Sequence, residues 1–160
     1  MLSAKDYKPG DAIYTYVDPE GNNIHIDSEK LRQWCADNAS SLEVVATPLN
    51  ESIALSFLDN NVVDFHHLIE VRGMDKWDPI IYCADGTYSK VNGGPNVILA
   101  DGHHRYFCAW TMGAEWVPAY VLEPAQWHPF QIDGLPQVTE EELRRAPTKA
   151  AYKRWKEGKP

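Results

Sequence analysis

Val97-Ile98-Leu99-Ala100-Asp101-Gly102-His103-His104-Arg105-Tyr106 is the stretch on which the fold turns. The apolar run Val97 to Ala100 reads as a buried strand, and Asp101-Gly102 breaks it sharply. His103 to Met112 then has helical character, with Phe107, Ala109 and Trp110 facing inward and Gly113 as terminator. Two imidazoles, a guanidinium and the first amides of a helix therefore meet at one junction. Helix N-termini bind anions because their first N–H groups have no helical acceptor and the dipole is positive there. Gly102 permits the tight turn and the close approach of a phosphate. Arg105 can hold phosphate oxygens bidentately, and Asp101 suits holding Mg²⁺ or accepting a hydroxyl proton. Chemistry alone leaves two readings open: a phosphate or nucleotide site, or a capped helix with a structural His–Asp pair.

Working outward, Pro79 leads into a second buried strand, Ile80-Ile81-Tyr82-Cys83, and Val117 to Leu122 reads as a third. Asp85-Gly86 and Asn92-Gly93-Gly94-Pro95 are turn clusters. Asn61 to Arg72 reads as a helix with Val62, Phe65, Leu68 and Ile69 as its apolar stripe and Gly73 as its stop. Residues 42–46 and 53–58 are short strand candidates around Thr47-Pro48-Leu49-Asn50-Glu51. Nearer the start, residues 12–17 and 24–26 flank Asp18-Pro19-Glu20-Gly21-Asn22-Asn23, which predicts a hairpin. Ser28 opens a helix to about Asn38, with Leu31, Trp34 and Cys35 on one face and Ser28 as its cap. Thr139 with Glu142 is a capping-box signature for a C-terminal helix that Pro147 interrupts. The sum is an α+β fold: a small mixed sheet with flanking helices, an N-terminal hairpin and a C-terminal helical tail.

Composition and charge bound the function. The 160 residues are 44% hydrophobic and 24% charged, as in an ordinary globular chain with one core. The formal net charge of −8 hides a division. From Arg144 onward seven basic residues face Glu157 alone, a net +6, which leaves −14 on residues 1–143. An acidic body argues against coating nucleic acid or an anionic membrane, whereas the tail is either a solvated helix or a handle for DNA or protein. Cys35, Cys83 and Cys108 form an odd set without CxxC spacing, which reads as reduced thiols. No apolar leader region is visible and no apolar run reaches the ~18 residues a membrane span needs, so the expected location is the cytoplasm.

Asp101-Gly102-His103-His104-Arg105, with Ala109, Met112-Gly113 and Val117-Pro118 after it and Asp78-Pro79-Ile80-Ile81 before it, resembles the core motif of the ParB/sulfiredoxin superfamily. The match covers about residues 61–122 within a single expected domain over 1–142, with 143–160 as the basic tail. The resemblance bears on fold more than on reaction. Partition ParB proteins carry Gly-Glu-Arg-Arg, and here His103 takes the Glu position. Sulfiredoxin carries Gly-Cys-His-Arg, and His103 replaces the nucleophilic Cys, which argues against its reaction. The basic helix-turn-helix domain of partition proteins is not expected here. The spelling is nearest to ParB-like free serine kinases, which implies a nucleotide (ATP, ADP or CTP) with Mg²⁺ and a small hydroxyl substrate. In this reading Gly102, His104, Arg105 and Tyr106 bind nucleotide and phosphate. Asp101, His103 and Glu51 are catalytic, with Asp101 also the metal ligand. Glu51 enters through a loose match of Pro48-Leu49-Asn50-Glu51 to the kinases' Pro-x-Glu base element.

Other constellations stand beside this one. His66-His67 with His103-His104 raises a metal cluster, but adjacent histidines on a helix point about 100° apart and rarely share one ion. Trp77 and Tyr106 are the aromatics best placed to stack on a base. Trp127-His128-Pro129-Phe130 reads as a lid over the site or as an anchored surface loop. The expected function is a small phosphotransferase or NTPase. The alternatives are a DNA-acting ParB-like nuclease or binding module, and a non-catalytic interaction protein of phage or mobile-element origin.

Overall fold

Pro79 cannot donate a ladder hydrogen bond, and the strand starts immediately after it. In the computed structural model, which describes residues 1–8, 11–59, 63, 65–73 and 77–141, that strand is one of eight, with five α-helices, among the described residues. The fold is α+β, and the contacts group into two compact units. One is Asn38–Pro124; the other joins Met1–Asp37 to the described part of Ala125–Pro160. The stretch resembling the superfamily core lies in the first of these.

In the unit Asn38–Pro124, four strands form a mixed sheet. In chain order they are β4 (Val45–Pro48), β5 (Ile80–Tyr88), β6 (Pro95–Asp101) and β7 (Trp116–Leu122), and their order across the sheet is β4-β7-β5-β6. β5 and β7 run parallel with Ile80 opposite Ala119 and Cys83 opposite Leu122, while β6 and β4 flank them antiparallel. The two central strands are the ones whose apolar residues run almost without interruption, as expected of strands paired on both sides. Asp85-Gly86 does not end β5. It lies where the β5–β6 register shifts, so the turn-like residues form an irregularity within a longer hairpin. One face of the sheet carries α2 (Glu51–Asp59), α3 (Phe65–Arg72) and α4 (His103–Thr111). Ala54 and Phe57 from α2 join Ile80, Leu99, Tyr106, Phe107, Ala109, Val117 and Ala119 in one buried cluster. Each large apolar side chain so buried contributes roughly 1.5–3 kcal/mol.

Residues 53–58 are helical, not a strand. The Asn50 side-chain oxygen accepts from the Ile53 N–H at 3.2 Å, which caps the helix, and Ala54 and Phe57 fall three apart on the buried face. The helix ending at Gly73 is present, but Ile69 is 71% exposed and Val71 is the residue that is buried. Val62 of the expected stripe lies outside the described residues.

In the other unit, β2 (Ile13–Val17) and β3 (Asn23–Asp27) form the expected hairpin and α1 (Ser28–Asp37) follows. The helix cap is Asp27, not Ser28. Asp27 accepts from the Lys30 N–H at 2.9 Å and from the Tyr7 hydroxyl at 2.6 Å, while the Ser28 hydroxyl donates to the Ala12 carbonyl at 3.2 Å. β1 (Leu2–Ser3) pairs in parallel with β8 (Ile132–Asp133), which draws the two ends of the described chain into one core. Trp127, at the end of α5 (Pro124–Trp127), is buried in this unit. The C-terminal helix and the basic tail lie outside the described residues from position 142 on.

Candidate functional site

β6 delivers the chain to Gly102, and α4 begins at the next residue. Gly102 has φ 116° and ψ 18°, and a Cβ placed on it would lie 2.6 Å from the Cβ of Ile80. Both the dihedral and the neighbour demand glycine. The first helical hydrogen bond runs from the Tyr106 N–H to the Gly102 carbonyl at 2.8 Å, so the amides of His103, His104 and Arg105 precede any acceptor of their own helix.

Arg105 is turned toward protein partners. Its Nη1 donates to the carbonyls of Asp78 at 2.6 Å and Pro79 at 3.2 Å, and its Nη2 donates to the Asp101 carboxylate. The two side chains are only 13% and 11% exposed. Arg105 thus braces the entrance of β5 against the exit of β6, a charge-assisted fork of the kind guanidinium geometry favours. A phosphate reaching this guanidinium competes with Asp101 for Nη2.

His103 packs edge-on against Phe57 with ring centroids 4.9 Å apart. Burial pushes its pKa down to about 4, with neighbouring His104 adding to the shift and Asp101 opposing it. At neutral pH it is therefore an uncharged hydrogen-bonding ring, not a cation. His104 meets His67 of α3 edge to face, with centroids 4.5 Å apart and planes at 89°. Glu70 lies one turn on, its carboxylate 3.4 Å from the His67 Nδ1.

Tyr106 is fully buried and its hydroxyl accepts the Asn50 N–H at 2.8 Å; burial raises its pKa. It cannot stack on a base, because neither ring face reaches the surface, and its contribution is to tie the start of α2 to α4. Trp77 is half-buried at the edge of the core cluster, its Nε1 donating to the Val71 carbonyl at 2.8 Å. Glu51 is exposed at the first position of α2, beside the residue that Tyr106 holds.

Mg²⁺ does not fit Asp101. The carboxylate is already neutralised by a guanidinium, which repels a second cation, and among the described residues no three His, Cys, Asp or Glu side chains are grouped to hold a metal. Of the described contacts between these histidines, His67 and His104 meet edge to face. Sequence reading missed Asn50, Phe57 and Glu70 and the carbonyls of Asp78 and Pro79. Only Asn50 left a signal, as a capping residue type directly before Glu51.

The fold and site together define an α+β protein with a strand–glycine–helix turn flanked by histidines. No family model, curated protein or solved structure matches the chain.

Proposed function

We propose that the Asp101–Arg105 turn is a nucleotide-phosphate site and that the protein is a small ParB/sulfiredoxin-like phosphotransferase or NTPase. The observation that carries this reading is the glycine-only junction at Gly102, after which α4 begins with three half-buried residues, His103 to Arg105, whose amides have no acceptor in their own helix. Phosphate oxygens accept from the first-turn amides and from His104, and Arg105, paired with Asp101, joins them only where the phosphate displaces that carboxylate from Nη2. His103, neutral beside Phe57, lends a donor or acceptor without adding charge. Glu51 is the exposed carboxylate able to take the proton of a small hydroxyl substrate, with Tyr106 and Asn50 fixing the helix that carries it. No step is assigned to a metal bound by Asp101.

Calorimetric titration with ATP, ADP and CTP tests this. At least one binds saturably, and His104→Ala weakens it about tenfold, the loss expected for one charge-assisted hydrogen bond. Absence of saturable binding at millimolar nucleotide overturns the reading.

A further inference from the structure

Glu70 belongs to no motif singled out in the sequence and His67 only to the metal constellation set aside above, yet both stand next to the turn. α3 and α4 pack together, and the contact between them includes the crossed rings of His67 and His104, 4.5 Å apart at 89°. His104 is the second residue of α4, where a side chain reaches a ligand at the helix start. Its ring has rotational freedom about two bonds, and an edge-to-face neighbour removes much of it, because such pairs prefer defined geometry. His67 is in turn oriented from the other side. Its Nδ1 faces the Glu70 carboxylate at 3.4 Å on the same helix face, i to i+3. A carboxylate on one imidazole nitrogen fixes the proton there and sets the ring plane. Both His67 and Glu70 are more than half exposed, so neither is required to fill the core.

We propose that Glu70 and His67 form a positioning relay for His104. Glu70 orients His67, and the His67 ring holds His104 in the plane that meets a phosphate oxygen. This deepens the phosphate reading above and rests on it. The ligand class is a phosphate monoester or anhydride of a nucleotide, approached by the α4 turn and by His104.

A double-mutant cycle read by ATP titration separates the relay from simple packing. His67→Ala lowers ATP affinity about tenfold, His67→Phe restores most of it by keeping a ring edge against His104, and Glu70→Gln gives a smaller loss. In a His104→Ala background, His67→Ala adds nothing, because His67 acts only through His104. Additive losses, or full affinity in His67→Ala, overturn the proposal. NMR spectra of the His104 ring decide it independently of nucleotide: one side-chain rotamer in the wild type, and rotamer averaging in His67→Ala. An unchanged rotamer in that variant overturns the relay even where ATP binds. Failure of the wild type to bind ATP overturns the phosphate site alone and leaves the ring spectra to judge the relay.

Discussion

Arg105 is the residue at which sequence and structure give different emphasis. Read locally, a guanidinium in the first turn after Asp-Gly is a phosphate hand. Its actual partners include two carbonyls 26 and 27 residues upstream, and no local pattern announces them. The brace is a stability element. Arg105→Ala leaves Asp101 nearly buried without its counter-charge, a loss of about 3–5 kcal/mol. Arg105→Lys keeps the charge but cannot reach all three acceptors with one ammonium, so it falls between. Urea unfolding of the two variants checks the ranking; equal stability of Arg105→Ala and wild type contradicts it. Gly102, by contrast, was legible from the sequence, because an Asp-Gly break between an apolar run and a helix demands a positive φ within two residues.

At the scale of elements, β6, α4, β7 and the first half of β5 were readable because each is an apolar run or stripe near a Gly or Pro, whereas the second half of β5 was hidden by Asp85-Gly86. α2 was not. Ile53, Leu55 and Phe57 alternate with Ala54 and Ser56, and a short apolar run of that kind fits strand and helix alike. The choice is made by Asn50 capping and by the Tyr106 hydroxyl, 56 residues away, accepting the Asn50 N–H. Tyr106→Phe removes that acceptor and costs about 1–3 kcal/mol. Amide hydrogen exchange reads it locally: Asn50 loses protection while the central strands β5 and β7 keep theirs. Unaltered protection at Asn50 refutes the tie between α2 and α4. The β1–β8 pairing was equally hidden, since two-residue strands about 130 positions apart carry no period to read.

For the whole molecule, each unit contains, among the described residues, one histidine held neutral by burial. His25 in β3 is buried with the Thr15 hydroxyl 2.9 Å from its Nδ1, and desolvation pushes its pKa down to about 4. His103 in the sheet unit is lowered to about 4 as well. In both, the unfolded chain binds a proton that the native chain refuses between pH 6.5 and about 4. Stability is therefore full above pH 6.5 and falls as pH drops through that window, by about 1.4 kcal/mol per pH unit per histidine. Urea midpoints at pH 7 and pH 5, followed by probes in each unit, measure this; a midpoint that does not fall in either unit contradicts it. The charge division of the chain, −14 over residues 1–143 and +6 after them, is compatible with a nucleotide site because the first-turn amides of α4 present a local partial positive charge.

The central claim is that phosphate binds at the start of α4. A crystal structure of the protein soaked with the nucleotide that titrates tightest tests it most directly. The account predicts phosphate density within hydrogen-bond distance of the His104 amide and imidazole, with His67 still edge-on to His104. Density elsewhere on the molecule, with the Asp101–Arg105 turn unliganded, would contradict it.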